Sequence, residues 1–172
     1  HYSQTKIDCI LRIIKEEVGI IGECGLDFTN RTNSVETQLN NLNLQFKIAE
    51  KEKKIVILHI RKAEDKILSI LDSYDLKRVI FHWYSGSISD LKKIIEKGYF
   101  FSFNNCILFY KKYSDYLKEI PLNRLLLESD APYKFNDRKT EPYDFPKMVE
   151  FIAKIKSKNI STIEEELNQN FK

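Results

Sequence analysis

No glycine-rich phosphate loop can be drawn from this chain. Five glycines are spread over 172 residues, which excludes the nucleotide-binding fingerprints that need clustered glycines. Cysteine is as sparse. Cys9, Cys24 and Cys106 are odd in number, far apart and unlike any zinc spacing, so they read as free thiols in a reducing cytoplasm, the expected location. No apolar run reaches the roughly 18–20 residues that span a bilayer, and no signal-peptide pattern opens the sequence; no membrane partner is expected. Charge of one sign is not in excess either. Twenty-eight Lys and Arg against 25 Asp and Glu leave +3, too mild to mark a nucleic-acid binder. The lysine clusters at 51–54, 92–93, 111–112 and 154–158 read as solvated helix faces. What is present suits one soluble domain over residues 1–172: 42% hydrophobic and 31% charged residues in 20.4 kDa, enough to bury a core.

Short apolar runs alternate with stretches of helical period. The runs Gly19–Gly22, Ile55–Leu58, Val79–Phe81, Tyr99–Phe103 and Leu125–Leu127 do not alternate apolar with polar, which predicts strands of a parallel sheet covered on both faces. Between them, apolar residues fall three and four apart: Ile7, Ile10, Leu11 and Ile14, then Val35, Leu39, Leu42, Phe46 and Ala49. Ile67, Ile70, Leu71 and Tyr74 make a third stripe, and Leu91, Ile94 and Ile95 a fourth. Ser34 suits a helix N-cap, Gly98 a helix end, Pro142 a first helical position, and Ser161 with Glu164 a capping box. The sum is a run of about five β/α units, either doubly wound or closed into a barrel, and short for a full barrel of about 250 residues.

Polar residues follow the apolar runs in a pattern. "VGIIGECGLDF" reaches Glu23 and Asp27, "KIVILHIRK" reaches His59 and Arg61, "RVIFHWYSG" reaches His82, and "RLLLESDAPY" reaches Glu128 and Asp130. The carboxyl edge of such strands is where α/β folds bind ligands. A lone histidine or carboxylate there is ordinarily structural, but two of the chain's three histidines share equivalent positions with carboxylates on four strands. Imidazole and carboxylate without cysteine suit Mg, Mn or Zn. A shared carboxylate can bridge two ions about 3.5–4 Å apart, the arrangement that clamps both oxygens in phosphoester cleavage. Serine chemistry fits less well, because Ser85 in "WYSGS" is not in a G-x-S-x-G elbow.

Together these stretches resemble the TatD family of metal-dependent deoxyribonucleases. "IGECGLDF" is similar to the family's I-G-E-x-G-L-D followed by Tyr or Phe, "LHIRKA" to I-H-x-R-x-A, and "FHWYSGS" to H-C-F-S-G-S. "RLLLESDAPY" is similar to L-L-x-E-T/S-D, and "RKTEPYDFPKMVEFIAKIK" to the R-x-N-E-P helix. The resemblance implies a TIM-type (β/α) barrel of the metal-dependent hydrolase superfamily and a metal-dependent nuclease acting on DNA, in all expectation an exonuclease. It implies up to two divalent ions. Glu23 would be shared between them, His59 and His82 would hold one, and Asp130 would serve the other and orient the attacking water, so that Asp130 and Glu23 are the catalytic carboxylates. Arg61 would meet a phosphate or pair with Asp27; Trp83 and Tyr84 would stack on a base or pack in the core or rim. His82 is expected to face a wet cleft and to contribute little to stability.

Two departures qualify this. The family opens on a strand carrying H-x-H, and this sequence has none; His1 resembles part of a later H-P-H stretch in which Tyr2 replaces the proline. The first two or three β/α units are therefore expected to be missing, leaving a partial barrel whose open edge a partner or a further segment would cover, and the truncated chain would be a poor enzyme. Trp83, where the family has cysteine, resembles the QatD-like branch of the Qat antiphage system. The alternatives are a catalytically degenerate subunit serving as a binding module in a defence assembly, and an amidohydrolase-type enzyme with another substrate. Glu23, where those relatives bridge their metals with a carbamylated lysine, favours the nuclease.

Overall fold

The computed structural model describes residues 19–29, 32–135 and 138–172. The stripe Ile7–Ile14, Cys9, His1 and Tyr2 lie outside them. The chain forms two compact units, 1–81 and 82–172.

In the first unit β1 (Ile20–Asp27), β2 (Ile55–Arg61) and β3 (Val79–His82) are laid down in sequence order, each parallel to the one before. Helix α1 (Val35–Lys51) joins the first pair and α2 (Glu64–Leu71) the second. The apolar stripe of α1 explains its packing: Leu42, Phe46 and Ala49 are buried, and the helix lies against β1. Ser34 caps it, accepting a hydrogen bond from the Thr37 amide, as its side-chain oxygen must to satisfy a free N–H of the first turn. Helix α2 stops at Leu71, so Tyr74 lies beyond it and instead donates its hydroxyl to the Asn43 side chain.

The second unit continues the pattern with α3 (Ile88–Glu96), β4 (Phe100–Phe103), α4 (Lys111–Glu119) and β5 (Leu125–Leu127), with β4 and β5 parallel. Gly98 carries the positive φ of +74° expected of a residue ending a helix. A small antiparallel pair, β6 (Lys134–Phe135) and β7 (Arg138–Lys139), precedes α5 (Phe145–Lys156) and α6 (Ile160–Phe171), which pack on each other. Pro142 opens a short 3-10 turn that leads into α5. The cap of α6 is Asn159, not Ser161: its Oδ1 accepts from the Thr162 amide at 3.0 Å. The helix has already begun at Ile160, which leaves Ser161 inside the first turn.

Strand β4 is buried on both faces as its composition predicts, with Phe101, Ser102 and Phe103 all buried, but β1, β2 and β3 are not. In β2 Val56 and Leu58 are buried while Ile55, Ile57 and His59 on the other face are only half-buried. Continuous apolar sequence therefore conceals a real alternation, with the helix-covered face dry and the other face carrying the polar groups. No helix among the described residues is long and apolar enough to cross a membrane.

One irregularity positions β1. Ile21 pairs with Val56 but Cys24 pairs with Leu58, so β1 spends three residues where β2 spends two. This is a bulge, and it re-aims the residues after it. Beyond it Gly25 pairs with His59, at φ +152° and with no room for a side chain: a Cβ there would lie 1.8 Å from the His59 carbonyl oxygen. Gly25→Ala is expected to destabilise the protein by more than the about 1 kcal/mol typical of point changes. Thermal melting of the purified variant checks this; an unchanged midpoint would show that the strands tolerate separation.

Candidate metal centre

The bulge brings Glu23 out on the exposed side of β1, with 48% of its side chain accessible. Its Oε2 lies 3.7 Å from Nδ1 of His59, and the other ring nitrogen of His59 lies 3.9 Å from Oδ2 of Asp27. Both are ion-pair separations rather than hydrogen-bond lengths, and they set the imidazole between two carboxylates. Asp27 itself is fixed. Its Oδ1 accepts from the Thr29 amide at 2.8 Å and the Thr29 hydroxyl at 2.6 Å. Partial burial raises its pKa, but the Thr29 bonds and the positive charge of His59 and Arg61 outweigh that, leaving it below the ordinary carboxylate value. Gln38 of α1 grips the Asp27 backbone at both ends, accepting from its N–H at 2.8 Å and donating to its carbonyl at 3.1 Å. Arg61 stands opposite Asp27 in the strand register and is exposed.

In the second unit His82 has only 8% of its side chain accessible, so it does not face a wet cleft. Nδ1 lies 2.8 Å from Oε2 of Glu128, and Nε2 lies 3.9 Å from Oδ1 of Asp130. A carboxylate accepts, so Nδ1 carries the proton and Nε2 keeps its lone pair, the tautomer a metal ligand needs. Ser102 donates to the same Glu128 oxygen, while Oε1 of Glu128 is buried without a partner among the described residues. Sequence reasoning reached Glu128 but gave it no role. Its position two residues before Asp130 was the available signal, since alternate residues of an extended chain point the same way. Asp130 adopts φ +53°, a left-handed conformation aspartate tolerates. Its carbonyl accepts from the Tyr133 amide and the Thr140 hydroxyl, each at 3.0 Å.

The two aromatic residues after His82 part company. Trp83, at φ +40°, is half-buried; its indole N–H donates to the Tyr113 hydroxyl at 2.9 Å, and its ring meets Tyr133 edge to face at 5.2 Å. Tyr84 is a core residue at 3% exposure, packed on Phe101 and Tyr116 with its hydroxyl on the Ser87 carbonyl. No face of that ring is open to a base. The thiols of Cys24 and Cys106 are free and buried, and burial pushes both up to about 12, so neither is a nucleophile at neutral pH.

His82 is the last residue of β3, directly after Phe81, which pairs with Leu58 of β2. One donor atom from each of Glu23, His59 and His82 lies within 4.8 Å of the others, a set that could hold a metal ion. Two imidazoles and a carboxylate suit a borderline or hard divalent ion.

A family model described as TatD-related DNase matches residues 1–172, the whole chain. The chain belongs to the TatD-related DNase family. A deoxyribonuclease homologue from Vairimorpha ceranae is 32% identical over 87% of this TatD-related chain and 62% of its own length. The 3'-5' ssDNA/RNA exonuclease TatD of Salmonella typhimurium is 28% identical over 88% of this chain and 64% of that protein. The crystal structure of YJJV, a TatD homologue from Escherichia coli, superposes with a TM-score of 0.87 at 26% identity, covering 98% of this chain and 69% of that one. The fold is thus the metal-dependent hydrolase α/β barrel in part, and the chain spans a little under two thirds of the length of the first two relatives.

If His82 ligates an ion, Glu128 is its positioning residue. Glu128→Gln is expected to weaken manganese binding by about 10–100-fold, as losses of a ligand's carboxylate partner do. Calorimetric titration with manganese measures it, and wild-type affinity in the variant would show that His82 needs no carboxylate behind it.

Proposed function

We propose that the protein containing this chain is a metal-dependent nuclease that hydrolyses DNA phosphodiester bonds from a strand end, with residues 1–172 acting as one catalytic domain. The observation that carries the reading is the donor set Glu23, His59 and His82 on a TatD-family chain. In this reading those three residues and Asp130 hold up to two divalent ions, of Mg, Mn or Zn type. Ions so bound supply Lewis-acid polarisation of the phosphoryl oxygen and acidify a water molecule. The activity for which the Salmonella relative is named, that of a 3'-5' exonuclease on single-stranded DNA and RNA, supports an end-directed cut.

The residues divide the work by position. Asp130, held through its backbone carbonyl by Tyr133 and Thr140, takes the proton of the attacking water. Oxygen from that water forms the new bond to phosphorus as the bond to the leaving nucleoside oxygen breaks, and the leaving oxygen picks up a proton. Glu23 would hold the shared ions on the other side of the phosphate, where they would offset its charge. Exposed Arg61 meets a non-bridging phosphate oxygen, which its planar fork suits. Trp83 offers its open edge beside Tyr133, 47% exposed, as a rim against which a base rests.

Burial separates the two histidines in a way that makes a test. His59 has 42% of its side chain accessible, so His59→Ala is expected to abolish cleavage of a labelled single-stranded oligonucleotide while costing about 1 kcal/mol or less of stability. His82→Ala is expected to abolish cleavage and also to destabilise the fold by about 1–3 kcal/mol, because Glu128 loses its donor inside the protein. Assays of the full-length protein with manganese and with EDTA, alongside thermal melts, read both. Cleavage by His59→Ala at the wild-type rate, or undiminished cleavage in EDTA, would remove the assignment.

A further inference from the structure

Helix α1 turns a row of neutral amides toward the cleft that holds Glu23 and His59. The cleft has a volume of about 410 Å³ and is lined by Gln38, Asn41 and Gln45 from the helix and by Glu23, Asp27 and His59 from the strands, within the roughly 300–1,000 Å³ of small-molecule sites. The three amides are spaced i, i+3 and i+7, which places them on one face beside the buried stripe of Leu42 and Phe46. Gln38 is committed to the backbone of Asp27 and Asn33. Exposed Asn41 and half-buried Gln45 also line the cleft, and no hydrogen bond to a described residue commits their amides. No lysine or arginine lines it.

We propose that Asn41 and Gln45 form a subsite for the nucleobase of the end nucleotide, a proposal that rests on the nuclease reading above. The phosphate belongs to the side of the cleft where Glu23 and His59 would hold ions; at Asn41 and Gln45 no cationic side chain among the described lining residues draws one. A base is neutral and presents donors and acceptors along its edge. A primary amide carries two donors and an acceptor, so Asn and Gln can pair with such an edge in more than one orientation. Two amides with that freedom require a base without dictating which one. The Watson–Crick edge is open only in an unpaired nucleotide, so a base read along that edge comes from a single strand or a frayed end.

The test is binding without metal, which separates it from cleavage. Full-length protein in EDTA is titrated, by fluorescence anisotropy, into a labelled thymidine dodecamer and into the same oligomer with a base-free tetrahydrofuran residue at its 3′ end, or in a second set at its 5′ end. The wild type is expected to bind the complete oligomer roughly tenfold tighter than one of the two base-free oligomers, the scale of a bidentate base contact. The double variant Asn41→Ala/Gln45→Ala, and Gln45→Met, which keeps the volume should the double variant fold poorly, are expected to bind all oligomers like the base-free one. Equal binding of complete and base-free oligomers by the wild type, or discrimination that survives in Gln45→Met and in a folded double variant, overturns the subsite. Absence of cleavage by the wild type with manganese tells against the nuclease reading alone.

Discussion

A single extra residue in β1 sets the chemistry available to the first unit. Without the bulge between Ile21 and Cys24, strict alternation would carry Glu23 to the side that Ile21 occupies, which packs against α1 and is dry. The extra residue makes Glu23 and Asp27 neighbours of His59 instead of core residues. A charged group moved to the buried face would cost several kcal/mol of desolvation, so the irregular pairing is what lets a strand this apolar bear two carboxylates. Gly25 is the complement of the bulge: the close approach of β1 to the His59 carbonyl leaves space for hydrogen alone.

The second unit solves a different problem. His82 is buried, and a buried imidazole is useful only if its tautomer and tilt are fixed. Glu128 does this by direct contact and Ser102 fixes Glu128, giving a chain of polar groups from β4 through β5 to the end of β3. Such a chain holds its shape because hydrogen bonds in a low-dielectric interior strengthen one another. His59, by contrast, is open to solvent and rests between carboxylates at distances too long for hydrogen bonds.

Much of this was legible in the sequence. All five apolar runs became strands, because three to five apolar residues between turn signals leave few alternatives; Asp27 and His82 close their strands and Glu128 follows β5, while Glu23 and His59 lie inside β1 and β2, which run on past their apolar stretches. Ser34 capped its helix because a serine before an apolar-periodic stretch has a specific amide to satisfy. What could not be read was register. A bulge leaves no mark in composition, so the exposure of Glu23 and the tightness at Gly25 were invisible. Burial of short polar runs was equally hidden: "HWYSGS" gives no sign that His82 and Tyr84 turn inward while Trp83 between them stays half open. The amides of α1 escaped notice since Asn and Gln on a helix ordinarily read as solvated surface, and only the cleft distinguishes them.

Thr140 is buried at 1% exposure, and its hydroxyl stands 3.0 Å from the Asp130 carbonyl and 3.1 Å from that of Tyr133. A hydroxyl has one proton to give, so it serves one of these carbonyls at a time. Each already has a backbone donor, the Tyr133 amide for one and the Thr140 amide for the other, so whichever the hydroxyl leaves is not orphaned. The joint between Asp130 and the β6–β7 pair is therefore fastened twice over, by backbone bonds and by a hydroxyl proton that either carbonyl can take.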